Sequence, residues 1–276
     1  MRTLALLGAT VWLAGCGGSD VPDDRASPVI VASVYPLVWA AEEIASDVDL
    51  RVVNLTRPGA EPHDVELSPR DVEAVRDATL VLYVGAGFQP AVEDAVEGRE
   101  GASLDVLGRD ESDPHVWLDP LRFAEVVETL GAAIGVPGSA REIAEKVREL
   151  HGEYGRGLAR CERRTLVTSH AAFGPLAERY DLTELWLTGR SPEAEPSPKD
   201  LERLVAEVRR SGATTVFSEP LVSDRLAETV AREAGIEVAV LDPVEGLSQE
   251  RLDAGEDYLS VMRANLAVLQ EALACR

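Results

Sequence analysis

Short β-branched runs alternate with helical patterns along this chain, and the alternation occurs twice. This constrains the fold more than any other feature, because strands separated by helices pair in parallel through crossovers that cover both faces of a sheet. In the first half the strand candidates are PVIVASVYP, DLRVVNLT and TLVLYVGAG, interleaved with the helical stretches LVWAAEEIA and SPRDVEAVRDA. In the second half RTLVTS, ATTVFSEP and EVAVLDP alternate with SPKDLERLVAEVRRSG and SDRLAETVAREAG. The runs are short and continuously apolar, as strands buried on both faces require. Ser68 before Pro69, with Asp71 in the first turn, marks a helix start. Gly212 and Gly235 end their helical patterns where a C-cap belongs.

Between the halves runs SAREIAEKVRELHGEYGRGLARCERR, rich in Glu, Arg and Leu, which reads as one long helix over 139–163. It joins an N-terminal lobe, 29–138, to a C-terminal lobe, 164–276. No Gly/Ser-rich linker intervenes, so the connection is expected to be stiff. The class is α/β, with parallel sheets in both lobes.

The start of the chain, MRTLALLGATVWLAGC, has one positive charge and then an apolar run. That run is too short for a spanning helix, which needs roughly 20 apolar residues, but it suits a secretory signal. The signal is placed at 1–15. Its ending, Leu13-Ala14-Gly15-Cys16, resembles the lipobox of bacterial lipoproteins, in which the cysteine corresponding to Cys16 is acylated. GGSDVPDDRASP then lacks hydrophobic pattern and reads as a flexible tether, so 16–28 is a lipidated tether. These features imply an extracytoplasmic body held at the membrane by lipid, in the periplasm or at the cell surface.

The 276 residues suffice for two lobes with cores, and the formal net charge of −22 argues against nucleic acid, whose phosphates demand basic patches. Of three cysteines, Cys161 and Cys275 remain after Cys16. In an exported protein such a pair suggests a disulfide, provided their Cα atoms come within bridging distance.

The chain has four histidines. His63 follows the second strand, in RPGAEPHDVELSP. His115 lies in SDPHVWLDP, between prolines and beside Trp117. His170 lies in LVTSHAAFG, at the carboxyl end of the strand that opens the second half. Ligands of open α/β sheets bind beyond the carboxyl ends of the strands, and Asp242, in EVAVLDP, ends another strand on that side. His151, on the long helix, reads as a surface or packing residue. Three imidazoles and a carboxylate could close a site around Zn²⁺, since their nitrogen and oxygen donors suit zinc better than calcium or magnesium. On these grounds alone a shared metal and ordinary packed histidines both remain open. A zinc hydrolase would also use three His, but no HExxH, no GxSxG elbow and no paired general base is present.

PGAEPHDVELSPRD, SDPHVWLDP, TSHAAFGPLAERY, SPEAEPSPKDLERLV and VAVLDPVEGL together resemble the substrate-binding proteins of bacterial zinc ABC transporters, within the wider zinc- and manganese-binding lipoprotein family. The resemblance covers nearly all the mature chain. It implies two Rossmann-like (β/α) lobes joined by one long helix, with the metal between them. It also implies a monomeric receptor, not an enzyme, that delivers Zn²⁺ to a membrane permease. Carried residue by residue, the ligands become His63, His115, His170 and Asp242. Glu61 is an alternative fourth ligand, and Glu219 a carboxylate that orients a ligand His. Histidine at 170 points to zinc, since manganese-binding relatives tend to have Glu there. A manganese or iron receptor, or an adhesin, on the same fold is the alternative. The chain departs from the pattern in two places: 88–112 lacks the His-rich loop of many zinc members, and GAGFQPAVEDAV replaces the more common Phe-Glu-Pro-Trp version.

Overall fold

The structure, a computed structural model, describes residues 27–107, 113–192, 194 and 196–276. The signal segment, Cys16 and most of the tether lie outside the described residues. No described helix is long and apolar enough to cross a membrane.

The first lobe is built from β1 (Val29–Ala32), α1 (Tyr35–Ile44), β2 (Arg51–Asn54), α2 (Pro69–Asp77), β3 (Leu80–Tyr83), α3 (Pro90–Glu97) and β4 (Ala102–Asp105). A 3-10 turn, Val116–Leu118, leads into α4 (Pro120–Ala133) and α5 (Pro137–Gly157). The second lobe follows with β5 (Thr165–Thr168), α6 (Gly174–Arg179), β6 (Thr183–Trp186), α7 (Pro198–Ser211), β7 (Thr215–Ser218), α8 (Arg225–Ala234) and β8 (Glu237–Val240). Then come α9 (Gln249–Asp253) and α10 (Tyr258–Ala272). The two sheets have the same plan, β2-β1-β3-β4 and β6-β5-β7-β8, and every strand pair is parallel.

Period-two alternation divides each sheet between two cores. In β1 and β3, Ile30, Ala32, Leu80 and Leu82 face a large central core, whereas Val31 and Val81 join Val75 and Val92 of α2 and α3. In β5 and β7, Leu166 and Phe217 face the central core, while Val167 and Val216 meet Val208 and Val230 of α7 and α8. The central core is continuous from β1 to α10 and contains α1, α4 and α5. The lobes are thus joined through this shared core as well as through the helix. Tyr258 of α10 lies 4.9 Å from the Trp39 ring and 4.6 Å from Phe123, and donates its hydroxyl to the Trp117 carbonyl. Across the lobes, Arg179 of α6 grips the buried Asp119, the N-cap of α4, through contacts of 2.6–2.9 Å.

Local signals act where expected. Ser68 and Asp71 form a reciprocal capping box at α2, and Gly212 and Gly235 close α7 and α8 in the left-handed region at φ 72° and 76°. The connecting helix is shifted from the expected 139–163. It begins at Pro137, whose missing N–H costs nothing in the first turn, and it ends at Gly157, with Leu158 as C-cap. Two strands, β4 and β6, are poorly legible and stand outside the strand candidates of the sequence. Both are sheet edges with largely exposed or half-buried residues, and neither carries a continuous apolar run.

Cys161, just after α5, is bridged to Cys275 at the end of the chain, a separation of 114 residues. Closing so long a loop restricts the unfolded chain by about 5 kcal/mol on the chain-entropy model. The Cys161→Ser/Cys275→Ser variant should therefore unfold at markedly lower urea concentration, with an unchanged metal stoichiometry. Coincident unfolding midpoints for the two proteins would contradict this.

Candidate metal centre

The cluster forms where the two sheets present the carboxyl ends of their strands. His170 lies two residues beyond β5 and Glu219 directly follows β7, so they face each other at the point where strand order reverses in the second sheet. His63 comes from the connection after β2, and His115 from the turn between β4 and α4. Glu245 comes from the turn after β8.

His63, His115, His170 and Glu245 each offer one donor atom, and these atoms all lie within 4.8 Å of one another. Glu245 Oε1 is the hub, 3.0 Å from His115 Nε2, 3.2 Å from His63 Nε2 and 3.3 Å from His170 Nε2. The ring centroids are 5.4–5.7 Å apart. His115 and His170 are fully buried, Glu245 nearly so, and His63 is half-buried. His115 Nε2 is buried without a hydrogen-bond partner despite its closeness to Glu245, because the approach is off-line. An orphaned buried nitrogen aimed at converging donors fits a cation better than it fits an apolar core.

Outer contacts fix the rings. His115 Nδ1 is 2.9 Å from Asp113 Oδ1, which also accepts the His115 backbone N–H. His170 Nδ1 is 2.6 Å from Glu219 Oε2, and Glu219 Oε1 accepts the His170 backbone N–H. A carboxylate behind each of these two imidazoles sets its tautomer, leaving Nε2 turned to the cluster. Gly174 gives Asp113 room, since a Cβ there would meet Asp113 Oδ2 at 2.7 Å. Phe88 packs edge-on to His63 at 4.5 Å and Trp117 to His115 at 5.4 Å. The buried Gln89 donates from Nε2 to the carbonyls of Pro62 and Ser33 and to Thr56 Oγ1, tying the His63 connection to the end of β1. The variant QP sequence thus still serves the site.

Burial alone would raise the Glu245 carboxyl, but the three imidazoles around it, with hydrogen bonds from His63 and His170 and the close approach of His115, hold it well below the usual carboxylate range. Burial would depress His170, yet Glu219 and Glu245 outweigh it and raise the imidazole to about 10. His115 is raised in the same way, by Asp113 and Glu245 against burial. Without a metal, then, a proton on His170 stands between Glu219 and Glu245.

Asp242, expected as the fourth donor, does not join the cluster. Its Oδ1 accepts the Val244 N–H at 2.8 Å and its Oδ2 pairs with Arg251 at 2.6 Å, so both oxygens are engaged. The carboxylate that converges with the histidines belongs to Glu245, three residues later. Its signal is an acid before Gly246 in the same VAVLDPVEGL stretch, beyond the strand end that holds Asp242. Asp113 was also missed, although an Asp two residues before a His is an ordinary local hydrogen-bonding arrangement. Glu61 sits at the rim, 4.0 Å from His63 Nε2, outside the four-donor group. His151 lies elsewhere, 3.1 Å from the Tyr180 hydroxyl.

Comparison with known proteins agrees with this architecture. The family described as "Zinc-uptake complex component A periplasmic" (ZnuA) matches residues 30–272. The zinc-binding protein AdcA of Streptococcus pyogenes serotype M1 is 32% identical over 285 residues, covering 87% of this chain and 55% of AdcA. The chain thus spans about half the length of such curated relatives. Among solved structures, the laminin binding protein Lmb of Streptococcus agalactiae, described as having adhesin and metal transporting activity, superimposes with a TM-score of 0.77 at 30% identity. The match covers 90% of this chain and 100% of Lmb. The Zn(II)-bound ZnuA-like domain of Streptococcus pneumoniae AdcA gives 0.76 at 31% identity, over 90% and 99%. With the fold, the cleft and the sequence in agreement, the chain belongs to the ZnuA family of zinc-uptake components.

Proposed function

We propose that this protein is an extracytoplasmic zinc receptor that captures one Zn²⁺ through His63, His115, His170 and Glu245 and delivers it to a membrane ABC permease. The observation that carries the reading is the convergence of these four donors, from four connections in two lobes, within 4.8 Å. Three imidazoles and one carboxylate suit zinc, whereas a manganese site would be richer in carboxylate. Four protein donors also leave no position for an activated water, which sets this site apart from catalytic zinc centres. Because the donors come from both lobes, a small displacement of one lobe or connection weakens several bonds together, so tight capture remains compatible with release. Lipidation at Cys16 would hold a monomeric receptor beside its permease.

Zinc titration of the metal-free protein, monitored by calorimetry, should give one equivalent per chain. Adding His115→Ala should lower affinity by orders of magnitude while far-UV circular dichroism stays unchanged. An unchanged affinity in that variant would rule out the reading.

A further inference from the structure

Glu245 does not stand at a strand end. It reaches the cluster through a turn whose backbone an isolated chain would not choose. Val244, buried and β-branched, has φ 58°, in the left-handed region that favours glycine. Such a conformation persists only where its surroundings impose it.

Here the surroundings are specific. Asp242 Oδ1 accepts the Val244 N–H at 2.8 Å, and Asp242 Oδ2 is held at 2.6 Å by Arg251 of α9. Arg251 is itself braced by Glu256, its Nε donating at 2.9 Å. The Asp242 backbone is held on both sides by one side chain: its N–H donates to Asn265 Oδ1 at 3.0 Å and its carbonyl accepts from Asn265 Nδ2 at 2.6 Å. The next carbonyl, of Pro243, accepts the Trp117 indole N–H at 2.7 Å. Asp242 and Pro243 are therefore anchored from outside the turn, and Val244 is held through Asp242.

We propose that Asp242 and Arg251 are positioning residues: they clamp the left-handed turn at Val244 and so aim the Glu245 carboxylate at the three histidines. This rests on the reading of Glu245 as a zinc donor. It also gives Asp242 a role that needs no contact with the metal. Glycine at 244 would adopt the turn without the clamp, because it has no Cβ to oppose a positive φ.

The test compares zinc affinity and the visible spectrum of the cobalt(II)-substituted protein, which reports the number and type of donors. Glu245→Gln should weaken zinc binding more than about a hundredfold and alter the cobalt bands. Asp242→Ala should weaken it about tenfold to a hundredfold, the range for partners that orient a metal's donors, and shift the bands toward those of Glu245→Gln. Adding Val244→Gly to Asp242→Ala should restore the spectrum and much of the affinity. Arg251→Met, on the half-buried α9, should show a smaller change in the same sense and carries the test should Asp242→Ala fail to fold. A merely structural Asp242 would lower the melting temperature and leave the cobalt bands in place. That result, or absence of rescue by Val244→Gly, overturns the clamp while a weakened Glu245→Gln keeps the zinc site standing. An unaltered Glu245→Gln overturns both.

Discussion

Replacing His170 with alanine lowers zinc affinity by more than about a hundredfold, equivalent to about 2.7 kcal/mol or more. Losing a partner that merely orients a donor costs about 10–100-fold, and losing the donor itself costs more. His170 should be among the most sensitive positions because its imidazole is doubly committed: Nδ1 is held by Glu219 and Nε2 stands 3.3 Å from Glu245. Its removal also leaves the buried Glu219 without its imidazole partner. The fold should survive, since the ring belongs to the cleft rather than to either sheet's apolar core. The measurement is competition against a chromophoric chelator, with circular dichroism as the folding control. Affinity within threefold of wild type would refute the assignment.

Zinc affinity should also rise steeply with pH. A zinc-bound imidazole must be deprotonated at its donor nitrogen, and in the metal-free protein His170, raised to about 10, holds a proton at neutral pH, with His115 raised in the same direction. Binding displaces the His170 proton, so the affinity changes by about tenfold or more per pH unit. The stability of the metal-free protein should run the other way. A raised histidine contributes stability that is fully present below its unfolded value, near 6.5, and is lost as pH climbs through about 10. Glu245, depressed, contributes above the ordinary carboxylate value and loses its contribution in acid. The zinc-induced rise in melting temperature should therefore grow between pH 6 and 8, and zinc should acidify a weakly buffered solution. A pH-independent affinity would mean that the metal-free cluster carries no displaceable protons.

The central strands were legible because each is a short, continuous β-branched run, and that pattern arises from burial on both faces. Helix starts and stops were legible because Ser68, Gly212 and Gly235 act on their own neighbours. The edge strands β4 and β6, ASLD and TELW, carry no apolar β-branched run, whereas the equally exposed edges β2 and β8, RVVN and EVAV, keep one and were legible. His63, His115 and His170 could be placed on the ligand side of the sheets from chain order alone, since strand ends define that side.

The chain by itself determined the α/β alternation, the position of the helix between lobes and the three imidazoles brought to one edge. Which carboxylate completes the cluster was decided only in three dimensions. Asp242 and Glu245 lie three residues apart in one motif, and nothing local tells them apart. Arg251 and Asn265, arriving from α9 and α10, occupy Asp242 and its backbone, and the left-handed turn at Val244 carries Glu245 inward instead. Ligand choice here depends on long-range partners competing for one carboxylate, and such competition is settled by tertiary packing rather than by residue order.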